Sequence, residues 1–176
     1  MASELARRRF QAFALPHLDA AYSLAKALTG NGADAEDIVQ DACIRALAAL
    51  ETQNVDNPRA WMLTITRNCA LTFLARRRPD NLATADIGDL ERDGLLAPRE
   101  PAPDAESRLI AADEAQVLLR ELLALPLALR ETLLMRVVHG LSYRDIASAT
   151  QAPVGTVMSR LARARAALAP FWGGER

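Results

Sequence analysis

A chain of 176 residues, 51% of them apolar, can hold one medium domain or two small ones and has ample material for a core. Its 21 basic and 22 acidic side chains give a formal charge of −1, and two cysteines are too few for a disulfide scaffold. No window approaches the roughly 18 consecutive apolar residues that a membrane-spanning helix needs, so no membrane insertion is expected.

The near-neutral total hides a pattern. Residues 1–79 hold ten Lys/Arg against eight Asp/Glu, residues 80–107 two against eight, and residues 108–176 nine against six, or +2, −6 and +3. Two weakly basic lobes joined by an acidic connector are compatible with nucleic-acid binding, whatever the overall charge.

The opening MASELARRRFQAFALPHL has arginines but no apolar stretch of signal length before Pro16, so the chain is expected to be soluble and cytoplasmic. A first helix is predicted over about Leu18 to Leu28, stopping at Thr29-Gly30-Asn31-Gly32. In residues 35–50, Ala35, Ile38, Val39, Ala42, Ala46, Leu47 and Leu50 form one stripe at helical spacing, with Asp34 as the expected N-cap and Asp37 at the positive dipole end. Beside that stripe Asp37, Gln40, Asp41 and Ile44 make a ridge suited to a partner offering hydrogen-bond donors and a little apolar surface. Cys43 and Cys69 fall inside helical patterns and read as small core residues of a reduced protein.

The loop Glu51-Thr52-Gln53-Asn54-Val55-Asp56-Asn57 is rich in amides and acids, groups that can satisfy the Watson–Crick edge of an extruded base. Asn57 then caps, and Pro58 starts, a third helix through Trp61, Ile65, Cys69 and Phe73 to Arg78, ended by Pro79. Trp61 reads as a core anchor rather than a stacking platform because Ile65 and Phe73 share its side. From Asp80 to about Ser107 periodicity disappears while prolines, glycines and acids accumulate, the composition of a flexible linker.

Helicity resumes with Leu109, Ile110, Val117, Leu118, Leu122 and Leu123. After Pro126 a second helix is expected to turn Leu129, Leu133, Leu134, Val137 and Val138 inward and to end at Gly140, with His139 favouring its negative dipole end. Ser142 caps the next helix, with Asp145 three residues on completing a box. Gln151-Ala152-Pro153 separates it from a last helix whose buried stripe is Val154, Val157, Leu161, Ala164 and Leu168. Thr156, Ser159, Arg160 and Arg163 line another face, and Gly155 leaves room for close backbone approach. Two short helices about three residues apart, the second ending in arginines, have the layout of a helix-turn-helix that reads the major groove, where Arg pairs bidentately with guanine. The expected fold is therefore all-α: two small helical domains, residues 10–79 and 108–173, joined by a flexible acidic linker over residues 80–107.

The segment LSYRDIASATQAPVGTVMSRLARARAAL resembles region 4 of the extracytoplasmic-function sigma factors of bacterial RNA polymerase. DAEDIVQDACIRAL followed by NPRAWMLTITRNCALTFLARRR resembles region 2 of the same family, in the right order along the chain. The resemblance implies a subunit that directs core polymerase to promoters and helps to melt the minus-10 element, monomeric on the polymerase and held by an anti-sigma factor. Carried over by position, Glu36, Asp37, Gln40, Asp41 and Arg45 would meet the clamp helices of the largest subunit, and the resemblance implies the polymerase flap as a further contact. Asn54, Asp56, Arg59, Arg67, Asn68, Arg76, Arg77 and Arg78 would hold minus-10 DNA, and Arg144, Gly155, Thr156, Ser159, Arg160 and Arg163 the minus-35 duplex. The linker, at −6, would lie in the basic RNA channel as an RNA-like placeholder. Met158 stands where many relatives carry lysine.

Two other readings stay open on the residues: a stand-alone helix-turn-helix regulator, and a sigma-like decoy that sequesters an anti-sigma factor. An enzyme is disfavoured. His17 and His139 lie in no metal-spaced cluster, no glycine-rich loop follows a strand, and Glu36 and Asp37 are adjacent rather than convergent. No catalytic residue, metal or cofactor is assigned.

Overall fold

Ser3 accepts a hydrogen bond from the Ala6 amide and so caps α1 (Glu4–Phe13), a helix that the sequence pattern does not announce. Its only buried residue is Ala6, and the Arg7-Arg8-Arg9 run obscures any apolar period. The structure is a computed structural model and describes residues 3–77 and 117–171. A 3-10 turn at Leu15–His17, opened by Pro16, passes the chain into α2 (Leu18–Thr29). Gly30 ends α2 in the left-handed region at φ 74°, where its amide reaches the Lys26 carbonyl.

α3 (Gly32–Ala49) starts earlier than expected because Asn31, not Asp34, is its N-cap: Asn31 Oδ1 accepts from the Asp34 amide at 3.0 Å. Asp34 is thereby released for an ion pair with Arg77 at the far end of α4. Ala35, Ile38, Ala42 and Ala46 are buried as the stripe predicts.

α4 (Pro58–Arg76) has the expected cap, with Asn57 Oδ1 accepting from the Ala60 amide at 3.2 Å. Its buried face overlaps the expected one at Cys69 and is otherwise shifted round the helix. Met62, Leu63, Thr66, Cys69 and Ala70 are buried, while Trp61, Ile65 and Phe73 lie half-buried at the margin, packed against the core. The pattern is blurred because α4 packs on α2 and α3 and also meets the C-terminal lobe. Thr66 tolerates full burial by donating to the Met62 carbonyl at 2.9 Å.

The C-terminal lobe comprises helical residues 117–124 (α5), α6 (Leu127–Val137), α7 (Tyr143–Thr150) and α8 (Val154–Leu168). The expected linker, Leu109 and Ile110 lie outside the described residues. In α6, Leu133, Leu134 and Met135 face inward, but Val137 and Val138 are 49% and 47% exposed, contrary to expectation. The helix stops there, and Gly140 at φ 67° redirects the backbone, so the period does not continue. His139 is buried instead. Burial, then the charge of Arg59, push its pKa down to about 4, so near neutral pH it carries no charge with which to favour a helix end, and the expected dipole role is withdrawn. The Ser142–Asp145 capping box is present in both directions. Gln151, left-handed at φ 53°, and Pro153 make the turn into α8, whose Val157, Leu161, Ala164 and Leu168 are buried. Val154, expected in that stripe, is 39% exposed at the helix start.

The two lobes touch through α4 with α7 and α2 with α6. Arg67 of α4 forms a bidentate ion pair with Glu131 of α6 at 2.8 and 3.0 Å, with side chains only 12% and 3% exposed, and also donates to the Ala149 carbonyl at 3.2 Å. Beside it the buried Arg130 donates to the carbonyls of Leu28 at 3.1 Å and Leu123 at 2.7 Å, tying the ends of α2 and α5 together. Asn57 reaches Asp145 at 3.4 Å.

Burial raises the Cys69 thiol to about 11, with Asp41 adding to the effect, and burial also raises Cys43. A raised thiol pKa favours folding below the ordinary value of 9.0, and that contribution is lost as pH rises towards about 11. Alkylation of the native protein near neutral pH is expected to modify half-buried Cys43 before Cys69, and denaturant should bring the two rates together. Equal native rates would contradict this burial.

Candidate nucleic-acid and partner interfaces

α3 buries its alanine-rich stripe against the lobe and turns the opposite side outward. Glu36, Asp37 and Gln40 are exposed there, and Asp41 is half-exposed in an i,i+4 pair with Arg45 at 3.0 Å. Ile44 is 69% exposed beside them. A row of acceptors flanking an exposed apolar side chain can take donors and a small apolar contact from a partner. The five residues expected at a polymerase contact thus share one open face.

The residues expected at minus-10 DNA fall into three sets. Arg59, Arg76 and Arg77 are exposed, Arg77 lying over the Phe73 ring at 5.0 Å while paired to Asp34. Arg78 lies outside the described residues. Asn68 is exposed and accepts from Arg67 at 3.1 Å, but Arg67 itself is turned into the lobe boundary by Glu131. Asn54 and Asp56 belong to the loop between α3 and α4 and line a cleft of about 370 Å³ with Val55, Leu5, Arg9 and Phe13. Three walls of that cleft come from α1, which sequence reasoning left unassigned. The signal that could have found it is the alternation of Leu5, Arg9 and Phe13 at i, i+4 and i+8.

α1 grips the loop at two points. Glu51 accepts from the Ser3 amide at 2.7 Å and the Ser3 hydroxyl at 2.9 Å, bonds that hold its carboxyl below the usual range. Arg9 donates to the Leu50 carbonyl at 2.8 Å, to the Gln53 carbonyl, and weakly to Asn54 Oδ1 at 3.5 Å.

On the C-terminal lobe α7 braces α8 in the helix-turn-helix arrangement. Gly155, Ser159 and Arg163 are exposed on α8, Thr156 and Arg160 are half-exposed, and Arg144 is exposed on α7. Ser159 donates to the Thr156 carbonyl at 3.0 Å. Among the described residues a Cβ built on Gly155 would meet nothing within 4 Å beyond its own helix and chain neighbours, and Gly155 is exposed at the N-terminal turn of α8. Free amides at this end and guanidiniums further along suit phosphate and base edges in one pass. Met158, 54% exposed, adds an apolar contact there.

Comparison with known proteins agrees with this geometry. The family model for sigma-70 region 2 matches residues 13–79, and that for sigma-70 region 4 matches residues 115–168. The ECF RNA polymerase sigma-E factor of Escherichia coli strain K12 is 34% identical over 77% of this chain and 72% of its own length. RNA polymerase sigma-H factor of Pseudomonas aeruginosa is 33% identical over 92% and 85%. Among solved structures, the sigma factor RpoE of Bartonella quintana in complex with the anti-sigma factor NepR superimposes with a TM-score of 0.70 at 25% identity, covering 96% of this chain and 99% of that one. CnrH in complex with the cytosolic domain of CnrY gives 0.63 at 25% identity, over 93% and 87%. Two region models in order, a helix-turn-helix behind them, and relatives matched over most of their length converge: the chain belongs to the extracytoplasmic-function sigma factors of bacterial RNA polymerase.

Proposed function

We propose that the protein brings core RNA polymerase to its promoters by dividing the work among three faces. The α3 face with Glu36, Asp37, Gln40, Asp41 and Arg45 docks on the clamp helices of the largest subunit, with region 4 on the flap. The Asn54–Asp56 loop and the α4 residues Arg59, Arg67, Asn68, Arg76 and Arg77, with Arg78 beyond them, capture the melted minus-10 strand. The α7–α8 face with Arg144, Gly155, Thr156, Ser159, Arg160 and Arg163 reads the minus-35 duplex. The observation that carries the reading is that each lobe has its own solvent-open basic face while α3 keeps a separate acidic one. A stand-alone regulator has no use for the α3 face, and a decoy has no use for both basic ones.

The protein carries no catalysis in this scheme, needs no metal or cofactor, and acts as a monomer on cytoplasmic polymerase. Strand separation is offset by binding energy, since unstacking costs about a few kcal/mol per step and the extruded base is recaptured in protein. The domain limits 10–79 and 108–173, with the acidic connector between them, follow the same division of work. No described helix is long and apolar enough to cross a membrane.

Arg67 cannot hold both Glu131 and a DNA strand, so the docked arrangement is the resting form and promoter binding accompanies lobe separation. In keeping with this, the chain is similar over 96% of its length to a relative captured with its anti-sigma factor. By the same reasoning a cognate anti-sigma factor holds this chain closed.

Run-off transcription with purified core polymerase and genomic promoter fragments tests the function: specific transcripts absent from core alone are expected, and their absence would overturn it. Arg160→Ala should weaken minus-35 dependence by about 1–3 kcal/mol in binding. Unchanged activity on a promoter whose minus-35 element must be read would remove Arg160 from that face. Glu131→Gln should raise the affinity of the free protein for a single-stranded minus-10 oligonucleotide about fivefold or more, since breaking a buried pair costs several kcal/mol in the closed form. An unchanged affinity would mean that docking does not mask Arg67.

A further inference from the structure

We propose that Arg9, on α1 and outside every surface discussed for the family resemblance, is a positioning residue that sets base selectivity at the minus-10 element. The proposal rests on the reading of the Asn54–Asp56 loop as the part that meets an extruded base. It deepens that reading by naming what holds the loop.

Loops that recognise a base must be ordered before the base arrives, because a mobile loop loses ordering entropy on binding and accepts several geometries. This loop has few means of ordering itself. After α3 ends, Glu51, Thr52 and Gln53 make turn hydrogen bonds back to Ala48 and Ala49, and Asn57 is engaged in capping α4. Between those anchors lie Asn54, Val55 and Asp56, the residues facing the cleft.

Arg9 supplies the missing constraint from 41 to 45 residues away in sequence. One arm of its guanidinium binds the Leu50 carbonyl at 2.8 Å, at the end of α3, and the other binds the Gln53 carbonyl. The planar fork thus fixes the distance between the loop's root and the residue just before Asn54, which a single-point ammonium cannot do. The same arm comes within 3.5 Å of Asn54 Oδ1, the outer limit of a hydrogen bond. The Phe13 ring sits 5.8 Å from the guanidinium carbon and limits where it can move. Leu5 and Val55 close the apolar side of the cleft. The cleft, about 370 Å³ and broadly open to solvent, leaves Asn54 and Asp56 to offer donors and acceptors to a base laid against it.

The test is transcription by reconstituted holoenzyme from a promoter set in which each minus-10 position carries each of the four bases, with the best-to-worst activity ratio as readout. Wild-type protein is expected to discriminate at one position at least, and Arg9→Ala to reduce that ratio by on the order of tenfold. Minus-35 dependence and core-polymerase affinity should stay within about twofold, since among the described residues Arg9 hydrogen-bonds at the Leu50 end of α3 and to neither the exposed face of α3 nor that of α8. Arg9→Lys, which keeps the charge and stem but not the fork, should recover little of the ratio. It also serves as the variant of record if Arg9→Ala does not fold. Glu51→Ala, which releases the second tether to Ser3, should lower selectivity in the same direction.

A full ratio in both Arg9 variants, with wild-type selectivity present, overturns the proposal and leaves the loop's role standing. Absence of any minus-10 preference in the wild-type holoenzyme overturns the loop reading and the proposal with it. Equal losses of minus-10 and minus-35 selectivity in the variants would show a general structural defect and likewise overturn it.

Discussion

The buried pairing of Arg67 with Glu131 governs how the rest of the molecule is disposed. Both charges are almost removed from water, and such desolvation costs more than simple attraction returns unless further hydrogen bonds complete the set. Here the geometry is bidentate and the Ala149 carbonyl takes a further donor. Arg130 repeats the device next to it with two helix-terminal carbonyls, although its Nε finds no partner among the described residues. Around these polar ties the apolar residues of both lobes join into one continuous core, from Leu24 and Leu63 to Leu134 and Ile146.

α4 is the element on which the competing demands meet. One side must pack on α2 and α3, another must meet the second lobe, and its remaining side chains are the ones proposed to meet nucleic acid. That is why its apolar pattern is weak and why a threonine is fully buried in it. α3 has no such conflict. Its small alanines allow close packing on one side, and among the described residues the polar ridge opposite stays exposed in the docked form, with the face proposed to meet polymerase left open.

What the sequence made legible was local. The Asn57-Pro58 start, the Ser142–Asp145 box and the turn at Gln151 to Pro153 all rest on interactions within four residues, and they stand where the pattern placed them. Local rules also misled where two candidates competed: Asn31 and Asp34 are both good caps, and only the tertiary pairing of Asp34 with Arg77 separates them. The C-terminal valines of α6 fit a helical period that the helix does not live to complete. Contacts spanning 41 to 102 residues, such as Arg9 to Leu50, Arg67 to Glu131 and Arg130 to Leu28, leave no trace in periodicity, and they decide which of the candidate side chains are free.

The depth of the Arg67–Glu131 pair makes the protein's two associations differ in kind. An ion pair at 12% and 3% exposure is poorly reached by dissolved ions, whereas arginines on phosphates bind by releasing counterions and weaken steeply as salt rises. On the proposed reading, raising the ionic strength therefore leaves the lobes' embrace nearly intact while loosening the grip on promoter DNA. If Arg67 holds minus-10 DNA as proposed, the solute content of the cell becomes a bias on which partner it keeps.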